Sequence, residues 1–182
     1  MIMTEQKTLT TNPNVPFVDE VEIFNHTFGK PNYYRAIVPE QKITDFVINF
    51  IKEETEELAE AVQEKDIVSV LDAICDLLYV AVGNATMAFG LKDKLLPAYA
   101  EVQASNMSKV CTSVEEAEET VRVRAEQQGE PCHFEKVGEY YIVYRTRDKK
   151  VMKSINYFSP NLSQFFTEEE LSQIKWMTYT KL

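Results

Sequence analysis

Five carboxylates in this chain fall on or beside helix faces that otherwise read as apolar. One stripe runs Ile43, Phe46, Val47, Phe50 and Ile51 with helical 3-and-4 spacing and continues through Glu54 and Glu57 to Leu58 and Ala61. An acidic run such as Glu53-Glu54-Thr55-Glu56-Glu57 is ordinarily a solvated face. Here the stripe passes through two of its members, while Glu56, Glu60 and Glu64 read as exposed and Glu53 lies one turn before Glu57. The next segment, IVSVLDAICDLLYVAV, is apolar nearly all round, so a buried helix is expected; its only charges are Asp72 and Asp76, one turn apart. Isolated buried carboxylates are remedied by a cation, a basic partner or protonation. No Lys or Arg between Lys65 and Lys92 supplies the second.

If the two helices form an antiparallel hairpin turning near Glu64-Lys65, Glu54 stands opposite Asp76 and Glu57 opposite Asp72. Such an all-oxygen cluster suits hard divalent ions, Mg²⁺ or Mn²⁺. Two other metal chemistries fail on spacing. A ferritin-like di-iron site needs Glu-x-x-His pairs on core helices, and Glu130 to His133 is interrupted by Pro131. Cys75, Cys111, Cys132, His26 and His133 show no paired zinc-ligand spacing. The histidines read as strand and helix-end residues, and the cysteines as small core or surface residues.

The elements that must position these acids can be read from pattern. With 182 residues, 45% hydrophobic and only five glycines and seven prolines, the chain suits one helical globular domain, with or without a small appendage. A short helix spans Asp19 to Phe28, a long one runs from a Thr44 cap to about Gln63, and another from Leu71 to Phe89, closed by Gly90. Leu95 to Met107 makes a further core helix, and Ser113 with Glu116 forms a capping box for the next. After Gly129 the period changes to strand alternation around Val137-Gly138 and Arg147-Asp148, predicting a β-hairpin made basic by Lys136, Arg145, Arg147, Lys149, Lys150 and Lys153. Thr167 with Glu170 caps a last short helix through Trp176. The expected organisation is a loose leader over 1–15, a helical catalytic core over 16–128, and the hairpin with its helix packed on that core over 129–182.

A net charge of −10 argues against nucleic-acid or anionic-membrane partners. Three unpaired cysteines and a polar N-terminus without an apolar signal core point to the cytoplasm. The Ile67–Leu91 stretch is apolar enough to raise a membrane span, but Asp72 and Asp76 near its middle make a soluble helix the cheaper reading.

The motif Glu53-Glu54-Thr55-Glu56-Glu57 followed by Asp76 resembles the EExxE…ExxD signature of the all-α nucleoside triphosphate pyrophosphohydrolases, which include MazG-like and phosphoribosyl-ATP pyrophosphohydrolases. LDAICDLLYVAVGNATMAFG, AEVQASNMSK and KSINYFSPNL look like successive blocks of the bacterial and phage branch, together covering roughly residues 40–110 and 150–163. The resemblance implies an all-α, MazG-like helical bundle, a dimer or tetramer, with the small C-terminal β-hairpin as an appendage. It also implies cleavage of a nucleotide between the α- and β-phosphates, with Mg²⁺ on Glu54, Glu57 and Asp76 and Glu53 assisting. The Glu of ExxD falls on Ala73 here, and Asp72 is the substitute on Asp76's face. Glu53 and Glu54 are the candidate bases. Asn106 and Lys109 resemble residues of the family's nucleotide site, Asn84 is a candidate base or sugar contact, and Lys153 of the basic hairpin region is a candidate phosphate contact. Lys109 has an equal alternative reading as a complement to its helix's C-terminal dipole.

Two functions are compatible with this pattern. One is a Mg²⁺-dependent house-cleaning hydrolase acting on (d)NTPs, with a non-standard or pyrimidine nucleotide such as dUTP or dCTP as the expected substrate. The other, motivated by Ala73, is a catalytically reduced nucleotide- or metal-binding regulator. A helical interaction protein with a basic flap is a third reading, against which the net charge counts.

Overall fold

The computed structural model describes residues 17–179, with side chains described through residue 174; the leader over 1–15 lies outside the described residues. Six helices and one hairpin follow in order: α1 (Phe17–Thr27), α2 (Gln41–Glu64), α3 (Ile67–Ala88), α4 (Lys92–Met107), α5 (Val114–Gln128), β1 (Cys132–Val137), β2 (Tyr140–Arg145) and α6 (Glu168–Tyr179), with a 3-10 turn at Leu162–Phe165. The architecture is all-α with a small antiparallel hairpin, as the sequence pattern implies.

Among the described residues two compact units divide the chain within α4: residues 17–95 with 168–179 form the first, and Leu96–Thr167 the second. In the first, α2 and α3 pack as an antiparallel hairpin. Its turn is tight because Lys65 adopts the left-handed conformation (φ 59°), its N–H donating to Ala61 O and Val62 O. Asp66 then caps α3 by accepting from the Val68 and Ser69 amides, so α3 begins at Ile67, a turn earlier than the apolar pattern indicates. Thr44 is not the α2 cap. The helix starts at Gln41, and the Thr44 hydroxyl donates back to Pro39 O and Glu40 O.

In the middle of α3, Leu78–Asn84 is π-helical. Gly83 in this segment faces α1, and any side chain there would overlap that of Val21. Gly90 ends the helix at φ +63°, where a Cβ would collide with the Arg35 carbonyl. That contact straps the 30–40 loop onto α3, through Tyr33 N–H to Met87 O and Ile37 N–H to Phe89 O.

The second unit builds its core from Cys111, Ala117, Val143 and Met152, with Val121, Cys132, Phe134 and Tyr141 packed around them. The predicted capping box at Ser113 forms in altered shape: Ser113 Oγ accepts from Glu116 N–H, while Glu116 reaches one residue further back, to Thr112 N–H.

The fully buried α3 expected from composition is not observed within this chain. Ile67, Val68, Leu71, Ile74 and Leu78 are 76, 72, 63, 50 and 44% exposed, and only Ala73 is buried over Ile67–Leu77. By length and composition alone α3 could also cross a membrane. An apolar helix sequence reports a need for cover, and among the described residues that cover is not supplied.

Candidate active site

The α2–α3 hairpin carries the acids. Glu53, Glu54 and Glu57 lie on α2, Asp72 and Asp76 on α3; Glu54 and Asp76 are half-buried, while Glu53, Glu57 and Asp72 are exposed. The expectation that Glu57 and Asp72 occupy buried positions is therefore corrected: α3 leaves its outer face open, and with it these two side chains. The acids still act on one another. Glu54's carboxyl is pushed above its ordinary value, by desolvation first and then by the negative charges of Glu57, Asp76, Glu53 and Asp72 in that order. Among the described residues, no group of three or more His, Cys, Asp or Glu side chains is drawn together closely enough to hold a metal ion. The donor chemistry and the unrelieved repulsion fit a divalent cation; the side chains are not gathered around one.

Beside the acids, one turn toward the start of α2, a cavity of about 290 Å³ opens between α1, α2 and α3. Phe24, Phe46 and Phe50 give it aromatic walls, and Asn25, Asn84 and Lys30 its polar groups. Asn84 follows Asp76 by eight residues, two turns of a regular α-helix; the intervening π-segment changes the register, and Asn84 lines this cavity. Asn25 is 3% exposed, and its side-chain oxygen has no hydrogen-bond partner. Such an atom costs on the order of 1–3 kcal/mol unless a guest satisfies it. Sequence reading passed over Asn25, although the signal was present: Val18, Val21 and Asn25 keep 3-and-4 spacing on the buried face of α1, so a polar group interrupts a core stripe as Glu54 does on α2.

The other candidates belong to the second unit. Asn106 is exposed near the end of α4, and its side-chain oxygen accepts from the Lys109 ammonium at 2.7 Å. Lys153 is exposed, its ammonium 4.0 Å from the centroid of the Tyr157 ring. The charge of the basic hairpin is partly answered internally, since Arg145 pairs with Asp148 at 2.5 Å and Arg147 with Glu130 at 2.9 Å.

Residues 21–106 match the family model of phosphoribosyl-ATP pyrophosphohydrolase, a family of hydrolases acting on phosphoric anhydrides within the MazG-like NTP pyrophosphohydrolase superfamily, so this segment is similar to that family. The matched segment contains all five acids, Asn25 and Asn84, and ends at Asn106, before Lys109 and Lys153. No curated protein matches the chain.

Proposed function

We propose that this pyrophosphohydrolase cleaves a (d)NTP between the α- and β-phosphates, releasing the monophosphate and pyrophosphate, with Mg²⁺ or Mn²⁺ held by Glu54, Glu57, Asp72 and Asp76. The observation that carries this reading is the half-buried Glu54 carboxyl on α2, raised by desolvation and by the charges of Glu57, Asp76, Glu53 and Asp72 on the same helix pair. An ion held there would supply neutralisation of charge on the leaving pyrophosphate and a more acidic water. Glu53 and Glu54 are the candidate bases that take the proton of the attacking water, a role suited to a carboxylate whose proton affinity is raised. The cavity between α1, α2 and α3 receives the base: the phenylalanines offer faces to stack on, and the Asn25 oxygen accepts from an N–H on the base edge, as the amine of cytosine or the imide of uracil provides. Asn84 supplies a second amide. Asn106, Lys109 and Lys153 are proposed substrate contacts on the second unit, the lysines toward phosphate.

The proposed role is house-cleaning in the cytoplasm, with dUTP- or dCTP-like substrates suiting this pocket chemistry. We also propose that a second copy of the chain covers the exposed α3 face, giving a dimer or tetramer. The apolar residues at 67, 68, 71, 74 and 78 form one stripe, and Asp72 and Asp76 beside it disfavour lipid as the cover, at roughly 2.5–3.5 kcal/mol each near a bilayer centre.

The test is pyrophosphate release across a panel of (d)NTPs with and without Mg²⁺, with the nucleotide product identified by chromatography. Monophosphate and pyrophosphate, formed only with the divalent ion, are expected; diphosphate and orthophosphate would overturn the cleavage position. One observation favours a reduced-activity binding protein instead. Ala73, 4% exposed, occupies the position of the ExxD glutamate, so a carboxylate is missing from a buried site. Tight Mg²⁺-dependent nucleotide binding without turnover would select that reading.

A further inference from the structure

We infer that Arg124 is a positioning residue that fixes Lys153 for contact with phosphate, an inference that rests on the proposed assignment of Lys153 to the substrate. After Met152, whose N–H donates to Val143 O at 2.8 Å, the chain leaves the hairpin, and residues 153–158 have no ladder to satisfy their backbone groups. Side chains and helix ends serve instead. Ser154 N–H donates to Lys109 O at 3.1 Å, Ile155 N–H to the buried Thr120 hydroxyl at 3.2 Å, and Phe158 N–H to Ser108 Oγ at 3.3 Å, while Ser105 Oγ donates to Phe158 O at 2.9 Å. The Ser154 hydroxyl donates to Glu116.

These anchors all lie at or beyond Ser154. The carbonyl of Lys153 is held by one group among the described residues: Arg124 Nε donates to it at 2.7 Å, and the same guanidinium donates from Nη2 to Ser154 O at 3.0 Å. Its remaining arm, Nη1, is oriented by Gln127 Oε1 at 2.7 Å. A planar fork gripping two successive carbonyls is a geometry that arginine provides and lysine does not. Lys153 has a flexible four-carbon stem, so the reach of its ammonium depends on how firmly its backbone is fixed. Without the fork, the 154–158 anchors still hold their part of the loop, and the freedom gained is concentrated at residue 153.

The test is isothermal titration of inorganic pyrophosphate with Mg²⁺ into the full-length wild type, Lys153→Met, Arg124→Gln, Arg124→Lys and the double variant Arg124→Gln/Lys153→Met, each checked for folding by circular dichroism. Loss of a charge-assisted contact predicts about tenfold weaker binding for Lys153→Met and about fivefold for Arg124→Gln, with the double variant no weaker than Lys153→Met alone. Arg124→Lys, which keeps the charge and loses the fork, stays weaker than wild type, and it carries the test if Arg124→Gln does not fold. Wild-type affinity in Arg124→Lys, or a double variant weakened by both factors in full, overturns the inference and leaves the lysine assignment standing. Unchanged binding in Lys153→Met, or no binding by the wild type, removes the phosphate assignment itself, and this inference with it.

Discussion

The acid hairpin of α2 and α3 and the loop over 153–158 carry the two sets of charged candidates, and they are built on opposite plans. On the hairpin, Glu54 is surrounded by like charges, and the apolar face of α3 lies open beside them. On the loop, the backbone N–H groups of Ser154 to Phe158 and the carbonyls of Lys153, Ser154 and Phe158 are all hydrogen-bonded before any ligand arrives. The first is incomplete without an added charge, the second complete on its own. Preorganisation therefore costs stability where the guest is a cation and costs little where the guest is an anion, since the loop's lysine can rest over an aromatic ring while it waits.

The largest effects are expected on the hairpin, where catalysis and stability should move in opposite directions. Glu54→Gln should lower kcat by about 10²- to 10⁴-fold in a pyrophosphate-release assay. The same substitution should raise the melting temperature of the metal-free protein at pH 7. Glu54's carboxyl is raised in the folded state, so its favourable contribution is present below the ordinary value of 4.5 and is lost as pH rises through the raised value. The gain should vanish near pH 4, where wild-type Glu54 is itself protonated. A variant no more stable than wild type at pH 7 would show that the acids are not in conflict.

Asp72→Asn tests whether the exposed acid completes the set that Ala73 leaves short. A loss of about 10–100-fold in activity or Mg²⁺ affinity is expected. Wild-type turnover with an unchanged Mg²⁺ requirement would reduce Asp72 to a surface residue. Next in size is assembly: Leu71→Glu with Ile74→Glu should convert the proposed oligomer into a 21.0 kDa species by light scattering. An unchanged mass would place the interface elsewhere.

The smallest effects are expected on the second unit, where charges are already matched. Arg145 holds the Asp148 carboxyl at about 2, against an ordinary value of 3.8. Its contribution is present above 3.8 and is lost as pH falls through about 2, so amide exchange in β1 and β2 should stay protected at pH 4. In Asp148→Asn that protection should weaken at pH 4 and converge with wild type near pH 2. Loss of the hairpin in wild type well above pH 4 would break the contrast between the units.

How much of this was legible in the sequence differs between the same two regions. The interrupted stripe through Glu54, the turn near Lys65, the box at Ser113 and the hairpin turn at Gly138 are local patterns, and each is present in the structure. The exposure of α3 was not legible, because periodicity registers which residues need cover without saying which chain supplies it. Asn25 was missed for a different reason: an amide carries no charge to draw attention, and its significance rests on an unfilled acceptor that only three-dimensional packing reveals. Arg124 lies in the charged run of α5 and looks like one solvated residue among many; its role depends on carbonyls 29 and 30 positions away.

The π-helical turn at Leu78–Asn84 has one more consequence. An extra residue in a helix works as a swivel, because everything beyond it is rotated relative to everything before it. Asp72 and Asp76 lie on one side of this swivel, and Asn84, Thr86 and Met87 on the other. Gain or loss of a single residue there would re-aim the far end of the helix, and with it the lining of the cavity at Asn84 and Ala88, while the acids kept their register with α2. A lineage carrying such a joint can reshape that cavity by insertion or deletion, a step that leaves the acid face of the helix untouched.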